Sequence, residues 1–111
     1  MIITKQYTIQ GKVHHVGYRA HVKKAADKLS ITGVANHAPD NAIVVIAQGE
    51  EESFPEFEKA LRLGPVMAFV RKLNAKLLNT KTYFRSFQVE GIVLSSELTE
   101  AIEKALQEAN L

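Results

Sequence analysis

Between Ile3 and Leu29 the apolar residues change period once, and the change falls across a loop bracketed by two glycines. Ile3, Tyr7 and Ile9 alternate with Thr4, Gln6, Thr8 and Gln10, the period-two pattern of a strand buried on one face. From Tyr18 onward, Tyr18, Val22, Ala25, Ala26 and Leu29 share one stripe at helical spacing, with Lys23, Lys24, Asp27 and Lys28 opposite. The first unit is therefore a strand, a loop over Gly11–Gly17 and a helix, closed by Ser30-Ile31-Thr32-Gly33. A chain that starts this way must cover the helix stripe with further strands.

Those strands follow at once. Ile31–His37 and Ala42–Gln48 are β-rich runs joined by Ala38-Pro39-Asp40-Asn41, in which proline presets φ and Asp and Asn tolerate left-handed geometry. Ser53-Phe54-Pro55-Glu56 has the form of a capping box opening a second helix. Phe54, Phe57, Ala60 and Leu61 supply its buried face, and Gly64-Pro65 stops it. Met67–Leu78 reads as a strand with Phe69, Leu73, Ala75 and Leu77 on one side. Tyr83–Val93 reads as another, with Tyr83, Phe87 and Val89 on one side. Ser96–Leu111 has the pattern of a third helix, its apolar face formed by Leu98, Ile102, Ala105, Leu106 and Ala109. The order β-α-β-β-α-β plus an added strand predicts an α+β fold, a ferredoxin-like sandwich with two helices on one face of an antiparallel sheet. Residues 1–94 form the expected domain, and residues 95–111 an extra C-terminal helical extension of it.

Composition bounds the function class. The chain has 111 residues, of which 46% are hydrophobic and 23% charged, enough for one core and no sign of disorder. A formal charge of +2 is too small to argue for nucleic acid, and Ala42–Gln48 carries no aromatic for base stacking, so no nucleic-acid partner is expected. Cysteine is absent, which removes disulfides and thiolate metal sites. The longest apolar run, Ala42–Ala47, is too short to span a bilayer, and no basic segment followed by an apolar run opens the chain. A cytoplasmic protein without a membrane partner is the expectation.

The chemistry concentrates in Gly11-Lys12-Val13-His14-His15-Val16-Gly17-Tyr18-Arg19. A loop that turns tightly into a helix start presents main-chain N–H groups and a partial positive charge, an arrangement suited to an anion. Arg19 falls in the first helical turn, where a guanidinium can grip two phosphate oxygens. By themselves these features also fit an ordinary turn beside a surface charge. His14, His15, His21 and His37 invite a metal, but adjacent loop residues point apart and no carboxylate stands at ligand spacing, so no metal is expected.

Gly11 to Arg19 resembles the acylphosphatase signature, which usually reads Gly-x-Val-Gln-Gly-Val-x-Phe-Arg. Leu29-Ser30-Ile31-Thr32-Gly33-Val34-Ala35-Asn36 resembles, loosely, the second signature of that family, Leu-x-x-x-Gly-x-Val-x-Asn. Ala42–Gly49 resembles the following strand with its Gln-Gly ending, and Gly64-Pro65-Val66-Met67-Ala68-Phe69-Val70 the Gly-Pro-x-x-Ala-x-Val segment. The matches are collinear from Ile3 to Val89. The resemblance implies hydrolysis of the carboxyl–phosphate bond of acyl phosphates without metal or cofactor. It implies that Arg19 and the amides of His14, His15, Val16, Gly17, Tyr18 and Arg19 bind phosphate, and that Asn36 positions the attacking water. An acyl phosphate or inorganic phosphate is the partner expected. His14 stands where the family has Gln, and His15 where it has Gly. At a position needing φ > 0 the latter change costs on the order of 1 kcal/mol. The alternative is an anion-binding or protein-interaction module on the same fold with little or no catalysis. A monomer is expected, with a dimer through the C-terminal helix as the other arrangement.

Overall fold

A computed structural model describes residues 1–14, 16–38 and 41–89. The expected helix at Ser96–Leu111, the end of the last expected strand, His15, and the turn residues Pro39 and Asp40 lie outside the described residues. β1 (Ile2–Lys12) leads into α1 (Tyr18–Lys28), and β2 (Thr32–Ala38) and β3 (Ala42–Glu50) follow. A 3-10 turn (Glu51–Ser53) then opens α2 (Phe54–Leu63), and β4 (Phe69–Leu78) and β5 (Phe87–Val89) complete the set. The strands lie side by side in the order β4-β1-β3-β2-β5. Pairing is antiparallel except between β2 and β5, which run parallel. The expected all-antiparallel sheet is thus mixed, because residues 79–86 carry the chain from one sheet edge to the other before β5 begins. The result is a small α+β domain consistent with a ferredoxin-like sandwich.

Register decides which side chains meet the helices. Tyr7 pairs with Val45, and Val45 with Ala35; one step on, Ile9 pairs with Ile43, and Ile43 with His37. Paired residues share a face, and Tyr7 bonds to Glu58 of α2, so the odd-numbered positions of β1, β2 and β3 face the helices. Tyr7, Ile9, Ala35, Ile43, Val45 and Ala47 form the core there with Tyr18, Val22 and Ala26 of α1 and Phe54, Phe57 and Leu61 of α2. Phe57 is fully buried and meets Tyr7 edge-on at 6.0 Å. Its burial stabilises the fold by about 2–3 kcal/mol.

Two expected details give way to tertiary constraints at β4. The register with β1 shifts between Gln10 and Gly11, so that Val70 and not Arg71 pairs with Gly11. This bulge flips Phe69 to the face away from Leu73, leaving it 65% exposed while Val70 packs on the core. Ala75 and Leu77 do share the helix-side face, opposite Tyr7 and Lys5, but they stay exposed at the edge strand. The strand expected from Tyr83 is shorter. Gln48 donates from Nε2 to the Thr82 carbonyl at 2.7 Å, and its Oε1 accepts from the Phe84 N–H at 3.0 Å. One side chain thus supplies partners that a neighbouring strand would give, and residues 80–86 cross without forming a ladder.

The helix ends obey local rules, with one exception. Ser30 takes the left-handed position after α1 at φ 57. The N–H groups of Ser30 and Ile31 reach back to the carbonyls of Asp27 and Ala26, closing a Schellman turn. The capping box at α2 does not form: Ser53 makes no side-chain cap bond. It already has helical φ and ψ as the last residue of the 3-10 turn, a backbone from which its hydroxyl does not serve the following N–H groups.

On the helix side of β1, Glu58 accepts from Tyr7 at 2.7 Å and from the Lys5 ammonium at 2.9 Å. Burial, the largest single effect, pushes the Glu58 carboxyl up; the bonds from Tyr7 and Lys5 and the charges of Lys5 and Arg62 together outweigh it and hold it below the ordinary value. A depressed folded-state value means stability that is present above the unfolded-state pKa and lost as pH falls through the folded one. Glu58→Gln is therefore expected to cost about 1 kcal/mol at neutral pH, both ends of the ion pair being a quarter exposed. The difference from wild type should shrink below about pH 4. Urea titrations of the two proteins at neutral and acid pH measure it, and a pH-independent difference would contradict this account.

Candidate active site

β1 and β2 both run antiparallel to β3, so their C-terminal ends lie together. That end of the sheet receives the loop over residues 13–17 and the start of α1. Val13 is buried and Val16 packs on the core, so two apolar anchors fix the loop from beneath. Gly17 caps α1 at φ 77 and ψ 18, in the left-handed region, with open space where a Cβ would stand. Glycine is needed there for the backbone turn and not for room. The first bond inside the helix runs from the His21 N–H to the Gly17 carbonyl at 3.1 Å. The preceding turn therefore directs main-chain N–H groups outward, and no acidic residue in it offsets the positive end of the helix dipole.

Two side chains clamp this helix start to the end of α2. The buried Tyr18 hydroxyl donates to the Leu61 carbonyl at 2.7 Å, and His21 Nε2 lies 3.0 Å from the Ala60 carbonyl, which can only accept. Burial pushes the Tyr18 hydroxyl far above the usual tyrosine range, so it is a fixed neutral donor and holds position. Arg19, the next residue, is half-buried in the same turn.

The histidines sort differently from the sequence expectation. His14 leaves the loop and places Nε2 2.9 Å from the Ala42 carbonyl at the start of β3. Its ring lies flat on that of His37, with centroids 4.0 Å apart and planes 16° apart. His37 is an odd-numbered position of β2 and so faces the helices, one step beyond the core residue Ala35. Asn36 pairs with Val44, and Val44 with Thr8, on the opposite face of the sheet. Its Oδ1 is buried with no hydrogen-bond partner among the described residues. Strand alternation thus turns the adjacent residues Asn36 and His37 to opposite faces of the sheet. His15 lies outside the described residues. Among the described residues, no group of three or more His, Asp or Glu side chains is placed to hold a metal ion. No helix among them is long and apolar enough to cross a membrane.

The acylphosphatase family model matches residues 5–89, from β1 through the end of β5. The chain belongs to the acylphosphatase family. It is 32% identical over 89 residues to the acylphosphatase of Helicobacter hepaticus, covering 76% of this chain and 93% of that protein. It is 42% identical over 62 residues to that of Pseudothermotoga lettingae, covering 56% and 70%. The structure of an acylphosphatase from Coxiella burnetii superposes with a TM-score of 0.74 at 28% identity, covering 80% of this chain and 93% of that one. Against the second acylphosphatase signature, Gly33 fixes the count: an asparagine four residues on falls at position 37, where this chain has histidine.

Proposed function

We propose that this acylphosphatase-family chain hydrolyses the carboxyl–phosphate bond of acyl phosphates at the end of the sheet where α1 begins. The observation that supports the reading is the left-handed Gly17 at the entry into α1, two residues before Arg19, where the first helical turn leaves N–H groups without partners inside the helix. In this reading the main-chain amides of His14–Arg19 and the Arg19 guanidinium hold the phosphoryl oxygens. Phosphoryl transfer needs in-line geometry and charge stabilisation more than covalent chemistry. Water oxygen bonds to phosphorus, the bridging P–O bond breaks, and its electron pair leaves on the carboxylate. Both hydrogens of the water end on dihydrogen phosphate. Because a carboxylate is a good leaving group, the step does not depend on a strong general base.

The test is hydrolysis of benzoyl phosphate followed in the ultraviolet. Turnover unchanged by a chelator and inhibited competitively by inorganic phosphate is the expected result. Phosphate binding without turnover would instead indicate an anion-binding module on the same fold.

A further inference from the structure

We infer that Val66 and Met67 form an acyl subsite, an apolar rim beside the loop over residues 13–17 that selects acyl phosphates with apolar acyl groups. The inference rests on the hydrolase reading above and names its substrate class. The connection from α2 to β4 runs alongside that loop. It starts at Gly64, where a Cβ would stand 3.4 Å from the Tyr18 ring and 3.3 Å from the Ala68 Cβ, so it leaves α2 against the first residue of α1. It ends where Phe69 pairs with Lys12, and Val70 with Gly11, at the end of β1. The loop over residues 13–17 joins the same two places, the end of β1 and the start of α1. Two segments that bridge one gap between the same elements lie side by side.

The connection is a tight turn with apolar corners. The Ala68 N–H donates to the Pro65 carbonyl at 2.9 Å, which puts Val66 and Met67 at the two corner positions. Such corners favour Gly, Asn, Asp and Ser. Here Val66 is fully exposed and Met67 is 64% exposed, so neither side chain serves the core, while the flanking Ala68 packs on it. Leu63, Val66, Met67 and Phe69 are four of the eight large apolar side chains exposed among the described residues. Scattered exposed apolar residues need no explanation, but a grouping marks a contact surface. Phe69, turned to the other face by the bulge, is not part of the rim. In an acyl phosphate a single bridging oxygen separates phosphorus from the acyl group, so that group meets a flank of the loop at once. The flank toward β3 carries the stacked imidazoles of His14 and His37, with His14 also bonded to Ala42. The flank toward β4 carries Val66 and Met67, where an apolar acyl group and the two side chains shield one another from water.

The double variant Val66→Ser with Met67→Ser tests this, serine being at home in a turn corner. It should lose about tenfold in kcat/KM for benzoyl phosphate, through KM with kcat changed little. For acetyl phosphate, whose methyl group is too short to cover the rim, it should stay within about twofold of wild type. Inhibition by inorganic phosphate should not change, because the phosphoryl contacts are untouched. Benzylphosphonate and methylphosphonate give a reading independent of turnover. In calorimetry, wild-type protein should bind the benzyl compound about tenfold more tightly, and the double variant should lose that difference. An unchanged benzoyl-to-acetyl ratio would overturn the subsite. So would equal losses for both substrates with weaker phosphate inhibition, which would make the turn a support of the loop. A wild-type dimer that becomes a monomer in the double variant would assign the two side chains to a second copy of this chain instead. If wild-type protein hydrolyses neither substrate yet prefers benzylphosphonate, the hydrolase reading falls and the subsite stands. No difference between the two phosphonates, with hydrolysis intact, removes the subsite alone.

Discussion

Arg19→Ala is expected to lower kcat/KM for benzoyl phosphate by about a thousandfold or more, the scale reported for arginines that neutralise a transferring phosphoryl group. The guanidinium offers a planar fork to two oxygens at once and keeps its charge at every working pH. The core contribution of α1 comes from Tyr18, Val22 and Ala26, so removing the half-buried Arg19 should leave the fold standing. Melting temperature within a few degrees of wild type, measured beside the kinetics, keeps the two effects apart. Arg19→Lys preserves charge without the fork and should recover only a small part of the rate. Competitive inhibition by phosphate should weaken in parallel, since the same contact serves both. Arg19→Ala turning over at the wild-type rate would remove this residue from the reaction.

Gly33→Ala should be the most damaging small substitution in the sheet. Gly33 has φ +141, a conformation that L side chains rarely adopt, and a Cβ there would stand 1.8 Å from the Ile46 carbonyl oxygen and 2.8 Å from its carbon. The obstacle is backbone of the neighbouring strand, so neither residue can swing aside. Gly33 also donates its N–H to the Ser86 carbonyl at 3.0 Å and pairs with Phe87. A displaced β2 would thus loosen β5 as well as β3. Strain and lost pairing together predict a loss of about 4 kcal/mol or more, at the upper end of single-residue effects. Urea unfolding should show a large fall in midpoint at unchanged m. A shift of only a few tenths of a molar would show that the strand tolerates a methyl group there.

Much of the architecture is legible in local pattern. The alternation around Tyr7 and Ile9, the stripe of Tyr18, Val22 and Ala26, and the run of Phe54, Phe57 and Leu61 all enter the core as their periods require. The stop at Gly64 is equally local. Where pattern and structure part, a distant contact has intervened. Simple alternation groups Phe69 with Leu73, and a bulge opposite Gln10 and Gly11 turns it over. Ser53 had the residue type of a cap, and the preceding 3-10 turn took its backbone out of the capping geometry. Tyr83 had strand character, and the Gln48 side chain captured the neighbouring backbone instead.

By itself the sequence determined the order of the elements, the apolar stripe of each helix and the placing of the glycine loop between β1 and α1. Each of these depends on residues within a few positions of one another, where φ preferences and side-chain period act directly. Only the tertiary structure decided that His37 faces the helices and Asn36 the opposite side of the sheet. Facing along a strand is fixed by its pairing with β3, and a shift of one residue would exchange the two sides. That pairing is set by the whole sheet packing on both helices, which no window of residues around position 36 contains.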